Sequence, residues 1–567
     1  MGILSWTENY GDEIFMGLNM SKLKRDEAYL NISTPTTVYL YSLYEECFQC
    51  PFTQEQPIEN HEILKINTRH PRLWRILKED VSISPVDSNH SVLCTINQEF
   101  GEFGVYDLKI SSSNCQLHVL KEPVDIHFPI LTVVLIYALI LLLVSSCICV
   151  WRIYTNKPER QTTSFDKELE PNQKRKRLKS LDTFRGISIV LMIFVNYGCG
   201  GYAVFDHAVW NGLQLADIVF PWFMWIMGVC IPISVSSILK KGISKKSSLK
   251  NVLRRSCILF GLGLFLGAGP NLDKLRVFGV LQRFGICYFV TASAFILFSS
   301  AKQFHEEKKR VFNFCTDILT LKYQWIVAII LLIVHNLLTF MLSIPNCSKG
   351  YLGPGGYHDN GKHMECTGGA AGYIDKVILG NHRYQYPTIK SIYKSEAFDP
   401  EGILGCLTSI IQVIIGAQAG AIVLFHKGHA ARLIRWLIWA VILGLIGGFL
   451  CGFSKEDGLI PVNKNLWSIS FVLVTSSLAF LFFSLCYCLI DVKEYWSGKP
   501  FLFAGMNAIL MYVGHGMTTN SFPIRWVPVK EVGLSTHFIT LIENVWATGM
   551  WVIIAYYLFT IKFFLSI

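Results

Sequence analysis

Residues 213–238 read LQLADIVFPWFMWIMGVCIPISVSSI, a run whose only carboxylate or cationic side chain is Asp217. At about 1.5 Å per residue, a helix of this length crosses the hydrocarbon core of a bilayer, roughly 30 Å thick. The residues that follow, KKGISKKSSLKNVLRR over 240–255, include seven basic side chains and no acid. The residues that precede, YGCGGYAVFDHAVWNG over 197–212, place Asp206 and His207 in a short link to another apolar run. Such a segment sets the fold class as a membrane-spanning helical protein.

The pattern repeats along the chain. Ten further apolar runs lie at about 129–151, 183–203, 253–270, 276–299, 324–344, 401–426, 432–452, 466–490, 500–516 and 541–562. The expectation is therefore a polytopic α-helical membrane protein of about eleven transmembrane helices. Composition agrees: of 567 residues 51% are hydrophobic and 16% charged, where soluble domains carry about 25% charge.

Orientation follows from loop charge, because cytosolic loops near spans carry the excess of Lys and Arg. The 240–255 link and the 152–180 link, with KPER and QKRKRLK, are thereby assigned to the cytosol. Eleven spans then put residues 1–128 on the lumenal side, the C-terminus in the cytosol, and His207 at a lumenal mouth. Four Asn-x-Ser/Thr sequons, at Asn19, Asn31, Asn89 and Asn346, all fall on the expected lumenal side. So do Cys47, Cys50, Cys94 and Cys115, and the pair Cys347 and Cys366, numbers that suggest two disulfides and one disulfide in an oxidising compartment. Cys47-x-x-Cys50 reads as a structural bridge, since no His pair follows at zinc spacing. A lumenal N-terminus calls for a secretory signal, and the first residues lack the apolar core of one. The expectation is a sequence that starts near the mature end or lacks its leader.

Residues 1–128 differ from the rest. Alternating stretches such as TTVYLYSL, HSVLCTI, FGVYDLKI and CQLHVL, separated by Asn, Ser and Gly, predict a small antiparallel β domain, sandwich-like, tethered by the first helix at 129–151. The basic linker 152–180 is expected to be disordered. Residues 181–567 form the ten-helix portion, with a glycine-rich lumenal loop at 345–400.

The chemistry-bearing residues cluster around the link at 197–212. Histidine accepts a proton from an amine or attacks a thioester through a ring nitrogen. A carboxylate, Asp206 or Asp217, holds one tautomer; the plainer role of either is a solvated cap. Trp210 and Asn211 stand beside them. Gln282, Arg283, Asn507, Tyr512 and His515 add polar groups inside apolar runs. Each alone reads as interhelical glue; together they suggest a polar cavity through the membrane. Lys250, Arg254 and Arg255 suit a phosphorylated ligand at its cytosolic entrance, and serve equally as topogenic charge. No Walker A loop, Rossmann fingerprint or His-Glu-x-x-His appears, so nucleotide hydrolysis, dinucleotide redox and metal chemistry have no motif. The net charge of +10 comes mostly from topogenic loops and gives no argument for nucleic acid.

The stretches RLKSLDTFRGISIVLMIFVNYG, DHAVWNGLQLADIVFPWFMWIMG, GVLQRFGICYF, GYLGPGG, CTGGAAGYID, FDPEGILG, PVNKNLWSIS and GMNAILMYVGH occur in order over 177–515. In them the chain resembles the lysosomal heparan-alpha-glucosaminide N-acetyltransferase family. The resemblance implies a lysosomal membrane acyltransferase that moves acetyl from cytosolic acetyl-CoA, a co-substrate and not a tightly bound cofactor, to the terminal glucosamine amine of heparan sulfate. It implies His207 as the active-site histidine, Arg255 near the CoA phosphates, and Asp399 and Glu401 at the amino-sugar end. Asn211 or Asn507 would donate to the thioester oxygen. A homodimer fits the family. Gly516 stands where the family carries an acid, so no role passes to that position. The rival classes are a multi-span transporter of a small anionic or sugar solute, and a lumenal carbohydrate-binding scaffold.

Overall fold

The computed structural model describes residues 14–80, 92–111, 114–154, 177–269, 271–299, 316–519, 521 and 536–565. Most of the 152–180 linker, and Asn89, lie outside the described residues.

The first described region is strand-rich. Eight strands, β1 Glu27–Ser33, β2 Val38–Tyr44, β3 Thr53–Ile58, β4 His61–Asn67, β5 Arg72–Leu77, β6 Val92–Ile96, β7 Val105–Ile110 and β8 Cys115–Lys121, form two four-stranded sheets. Their orders are β8-β7-β1-β4 and β3-β2-β5-β6. Alternation drives the layering: Ala28, Leu30, Ile32 and Leu108 of one sheet share a core with Val38, Leu40, Trp74 and Ile76 of the other. One feature corrects the expected all-antiparallel domain. β1 and β7 pair in parallel, Tyr29 opposite Val105. They lie far apart in sequence, joined through strands of the opposite sheet, so no hairpin sets their direction. The disulfide Cys94–Cys115 links β6 to β8, one edge strand of each sheet. Of the sequons, Asn19 and Asn346 are exposed. Asn31 instead donates to Asp107 Oδ1 at 2.8 Å.

Helices occupy all eleven apolar runs. They are α1 Phe128–Tyr154, α2 Lys179–Asn196, α3 Leu215–Lys240, α4 Lys245–Gly267, α5 Val280–Phe298, α6 Lys322–Met341, then α7 Gly369–Leu379 in the long loop, α8 Ile403–Phe425, α9 His429–Leu450, α10 Ile469–Tyr487, the broken pair α11 Phe501–Met506 and α12 Ala508–Met517, and α13 His537–Thr560. Among the described residues seven helices are long and apolar enough to cross a membrane: α3, α5, α6, α8, α9, α10 with its C-terminal extension, and α13. α1 counts among the shorter apolar helices through Phe128–Ile140, and three other runs depart for visible reasons. The first turns of α2 and α4 are charged, and the tenth run breaks at Asn507.

The bundle is built around α8, whose central stretch is 83% buried, against 22% for α6 and 28% for α9. The outer faces of α6 and α9 present Ile329, Ile330, Ile333, Val441 and Leu445 outward, an apolar surface suited to lipid. Small residues allow α3 and α8 to touch along their backbones. A Cβ on Gly228 would stand 2.1 Å from the Val413 carbonyl oxygen, and one on Gly416 2.1 Å from that of Trp225.

The strand-rich region docks on one end of this bundle. The Cys47–Cys50 turn after β2 packs with Trp210, Ile392, Tyr393, Phe398 and Leu404. Cys347–Cys366 closes the start of the long loop. On the other flank, His537 of α13 bridges Asp26 Oδ1 at 2.8 Å and the Gly200 carbonyl at 2.9 Å.

Candidate active site

The link between α2 and α3 is gripped from two sides. Its glycines Gly198, Gly200 and Gly201 adopt positive φ, a region that L side chains rarely enter. A Cβ on Gly201 would meet the Arg25 guanidinium at 2.6 Å. The Gly200 N–H donates to Asn544 Oδ1 at 2.8 Å. Farther along, Asp206 accepts from Arg69 of the strand-rich region at 2.7 Å and from the backbone N–H of His207 at 2.8 Å. Asp206 thus fixes the loop and does not touch the imidazole.

Asp217 does. It opens α3 as the third residue of a capping box; its Oδ2 accepts from the backbone N–H groups of Gln214 and Ala208, each at 3.1 Å. That leaves Oδ1 for His207 Nδ1, at 2.8 Å. The carboxylate is fully buried and the His207 side chain one-third exposed. With Nδ1–H donating to Asp217, Nε2 keeps its lone pair for a proton or an acyl carbon.

A third group completes the cluster. Lys464 Nζ lies 3.1 Å from His207 Nδ1 and 3.2 Å from Nε2, and 3.9 Å from Asp217 Oδ1. Burial pushes its ammonium below the ordinary lysine range, while Asp217, Glu401 and Asp206 pull it back up. Its loop is tied to the histidine link: the Gly212 N–H donates to the Val462 carbonyl at 2.8 Å, and Asn463 Nδ2 donates to Asn211 Oδ1 at 3.0 Å.

A second charged group lies close by. Arg276 donates to Asp399 through Nε at 3.0 Å and Nη2 at 2.5 Å, and to Glu401 through Nη2. It stacks over Tyr384, 4.7 Å from the ring centroid. Arg283, fully buried, donates to the carbonyls of Pro400 and Gly402 and lies over Trp467. It thereby holds the turn that enters α8. Asp375, also buried, accepts from the Ile403 N–H at 3.0 Å. Burial pushes its carboxyl up to about 7.

Between α2, α3, α4, α5 and α12 runs a cavity of about 400 Å³, within the usual size of ligand pockets. Arg185 and Arg255 line it with Cys230 and Tyr288; Phe223, Phe284 and Tyr512 line it too. Arg255 stacks over Tyr288, 4.7 Å from the ring centroid. Lys250 and Arg254 are exposed on α4 and do not line the cavity.

The remaining polar residues have packing partners. Trp210, 3% exposed, donates to the Leu352 carbonyl and packs edge-on against Phe398. Asn211 bridges Glu456 and Asn463. The Gln282 amide fills the space beside Gly263 and Gly279. Asn507 takes the Phe563 carbonyl and the Leu565 N–H, holding the C-terminal turn at the far side of the bundle. His515 donates from Nδ1 to the Met511 carbonyl and accepts from Asn196 at Nε2. Asn211 and Asn507 each commit one of their two amide N–H bonds, to Glu456 and to the Phe563 carbonyl respectively.

Sequence reasoning passed over Lys464, Arg276, Arg185 and Arg69. Arg185 carried a signal, a charge inside an apolar run, whereas Lys464 shares the link between two such runs with Lys455, Glu456 and Asp457. Arg69 carried none, because only the docked strands bring it to Asp206.

No family model matches the sequence. Two curated relatives do. The human heparan-alpha-glucosaminide N-acetyltransferase is 38% identical over 605 aligned positions, covering 96% of this chain and 89% of its own length. The mouse heparan-alpha-glucosaminide N-acetyltransferase is 38% identical over 612, with the same coverage. Apolar helices and this identity make the protein a multi-pass membrane acyltransferase. Identity of this degree across nearly the whole chain places it in the heparan-alpha-glucosaminide N-acetyltransferase family.

Proposed function

We propose that this protein moves acetyl from acetyl-CoA to the amine of a terminal glucosamine on heparan sulfate, across the lysosomal membrane and as a step of heparan sulfate breakdown. In this reading the N-terminus, the strand-rich domain and His207 face the lumen, and the C-terminus and Arg255 face the cytosol. The observation that carries it is the His207 imidazole, held through Nδ1 by a fully buried Asp217 with Nε2 left open. The names of the two relatives supply the acceptor class.

Geometry poses one problem that the reading must meet. CoA is large and anionic, while the acceptor amine belongs to a lumenal polymer. The cavity lined by Arg185, Arg255 and Tyr512 supports one route: phosphates stay with the two arginines and the pantetheine arm extends along the apolar lining and beyond it towards His207. Holding thioester and amine together then supplies much of the rate. Asp399 and Glu401, ion-paired with Arg276, supply negative charge towards the sugar ammonium. Two routes share these groups. Either Nε2 receives the acetyl and passes it on, or Nε2 takes the amine proton while the amine attacks directly.

The test is transfer of labelled acetyl from acetyl-CoA to a glucosamine-terminated acceptor by the purified chain in detergent. His207→Ala is expected to abolish transfer and keep acetyl-CoA binding. Full activity in that variant would remove His207 from the chemistry. Flux of an unmodified solute, with no acetylation by the native chain, would favour a transporter.

A further inference from the structure

We propose that Lys464 is the group that stabilises the oxyanion formed when the thioester carbonyl is attacked, an inference that rests on the acetyl-transfer reading above. Among the described residues it is the one cationic side chain within hydrogen-bond distance of the His207 ring.

Its placement is specific. The near-equal distances, 3.1 Å to Nδ1 and 3.2 Å to Nε2, set the ammonium off the axis of either nitrogen. A donor in line with the Nε2 lone pair would stand much farther from Nδ1. The lone pair of Nε2 is therefore left open to an incoming acyl carbon or amine proton, with Nζ beside it. A carbonyl carbon brought to Nε2 with its oxygen turned to the Lys464 face of the ring carries that oxygen towards Nζ.

Beyond its contacts to the two ring nitrogens, the ammonium keeps a donor to spare. An ammonium has three N–H bonds, yet the carboxylate nearest to Nζ, Asp217, stands at 3.9 Å. Both Asp217 oxygens already accept, Oδ1 from His207 and Oδ2 from Ala208 and Gln214. Lys464 is 13% exposed, so little water serves those donors.

The backbone beneath is rigid before any substrate arrives, as transition-state stabilisation requires. The Trp467 N–H donates to the Lys464 carbonyl at 3.0 Å. The Leu466 N–H donates to Asn463 Oδ1 at 2.8 Å, and Ser468 and Ser470 both donate to the Pro461 carbonyl at 2.8 Å. Trp467 Nε1 anchors the turn to Gln412 at 3.1 Å.

The chemistry closes in both routes. A nitrogen lone pair adds to the thioester carbon, the C–N bond forms, and the carbonyl π pair moves to oxygen, where a Lys464 N–H receives it. The C=O bond re-forms as the C–S bond breaks. In direct transfer the amine proton passes through Nε2 to sulfur. In the relay, the amine that later attacks the acetyl-imidazole releases that proton, which goes to the thiolate.

The experiment uses the full chain in detergent with acetyl-CoA and glucosamine, comparing Lys464→Met and Lys464→Arg with native protein. Lys464→Met is expected to lower kcat about 100- to 1000-fold while the acetyl-CoA Kd stays within twofold. Lys464→Arg, which keeps the charge and the N–H donors, is expected to recover at least tenfold over Lys464→Met. A Lys464→Met variant that transfers acetyl at the native rate overturns the proposal. So does an equal loss of acetyl-CoA binding and turnover in both variants, the mark of a merely structural lysine. If the native chain acetylates no amino sugar, the acetyl-transfer reading itself fails, and the Lys464 assignment falls with it.

Discussion

Replacing Asp217 by Asn changes no bond length and almost no volume, which isolates what the carboxylate charge and its two acceptors contribute. In the native arrangement Oδ2 serves the Gln214 and Ala208 N–H groups at 3.1 Å and Oδ1 serves His207 Nδ1 at 2.8 Å. An asparagine has one oxygen. Two fixed backbone donors claim it, so the NH₂ turns to His207. Nδ1 must then accept, which moves the ring proton to Nε2 and removes the lone pair the reaction needs. Where a buried Asp-to-Asn change inverts a catalytic histidine's tautomer, kcat drops about 10⁴-fold, or about 5.4 kcal/mol of barrier. The same order is expected here for acetyl transfer to glucosamine, with acetyl-CoA affinity retained, since Asp217 does not line the cavity. Asp206→Asn is the internal control. That residue touches Arg69 and a backbone N–H but not the ring, and its exposed ion pair is worth about 0.2–1 kcal/mol, so kcat should fall less than tenfold. An Asp217→Asn variant within tenfold of native kcat, or an Asp206→Asn variant as poor as Asp217→Asn, would refute the tautomer argument.

Two further outcomes follow from groups outside the chemistry. Burial pushes the Glu102 carboxyl up to about 7, with His537 opposing and Asp26 reinforcing the shift. A carboxyl whose folded value exceeds its unfolded value near 4.5 contributes stability that is full below about 4.5 and is lost as pH rises through about 7. Thermal unfolding of Glu102→Gln should therefore lack part of the loss that native protein shows between pH 5 and pH 8; identical pH profiles would count against a protonated Glu102 at the docking surface. At the cavity, Arg255→Gln should weaken acetyl-CoA binding about 10- to 100-fold, as expected for a charge-assisted hydrogen bond of about 1.5–3 kcal/mol. Lys250→Gln, exposed and off the cavity, should change it less than threefold. Equal effects in a titration of CoA against both variants would point to diffuse charge in place of a phosphate site.

The reading from residues alone reached far where the signal is local. A helix stands at each apolar run because covering a backbone in hydrocarbon demands internal hydrogen bonds, and about twenty residues suffice to announce it. The alternation of β1 to β8 is a period of two, read within a single strand. The cysteines in three pairs closed as Cys47–Cys50, Cys94–Cys115 and Cys347–Cys366. His207 and Asp217 could be joined on paper because only ten residues separate them, and the second begins a helix. Tertiary packing alone decided the rest. Lys464 reaches the ring across 257 positions; Arg69 crosses 137 to reach Asp206; and β1 lies parallel to β7 against the antiparallel expectation. Trp210, Gln282 and Asn507, equally polar or aromatic in the sequence, contact Leu352 and Phe398, the glycines Gly263 and Gly279, and the C-terminal turn. Composition and periodicity record what a residue does with its neighbours in the chain. Which of two polar groups ends beside the imidazole depends on how α3 and α8 close on each other through Gly228 and Gly416 and on which end the strand-rich region covers. Those distances exist only once the helices have packed.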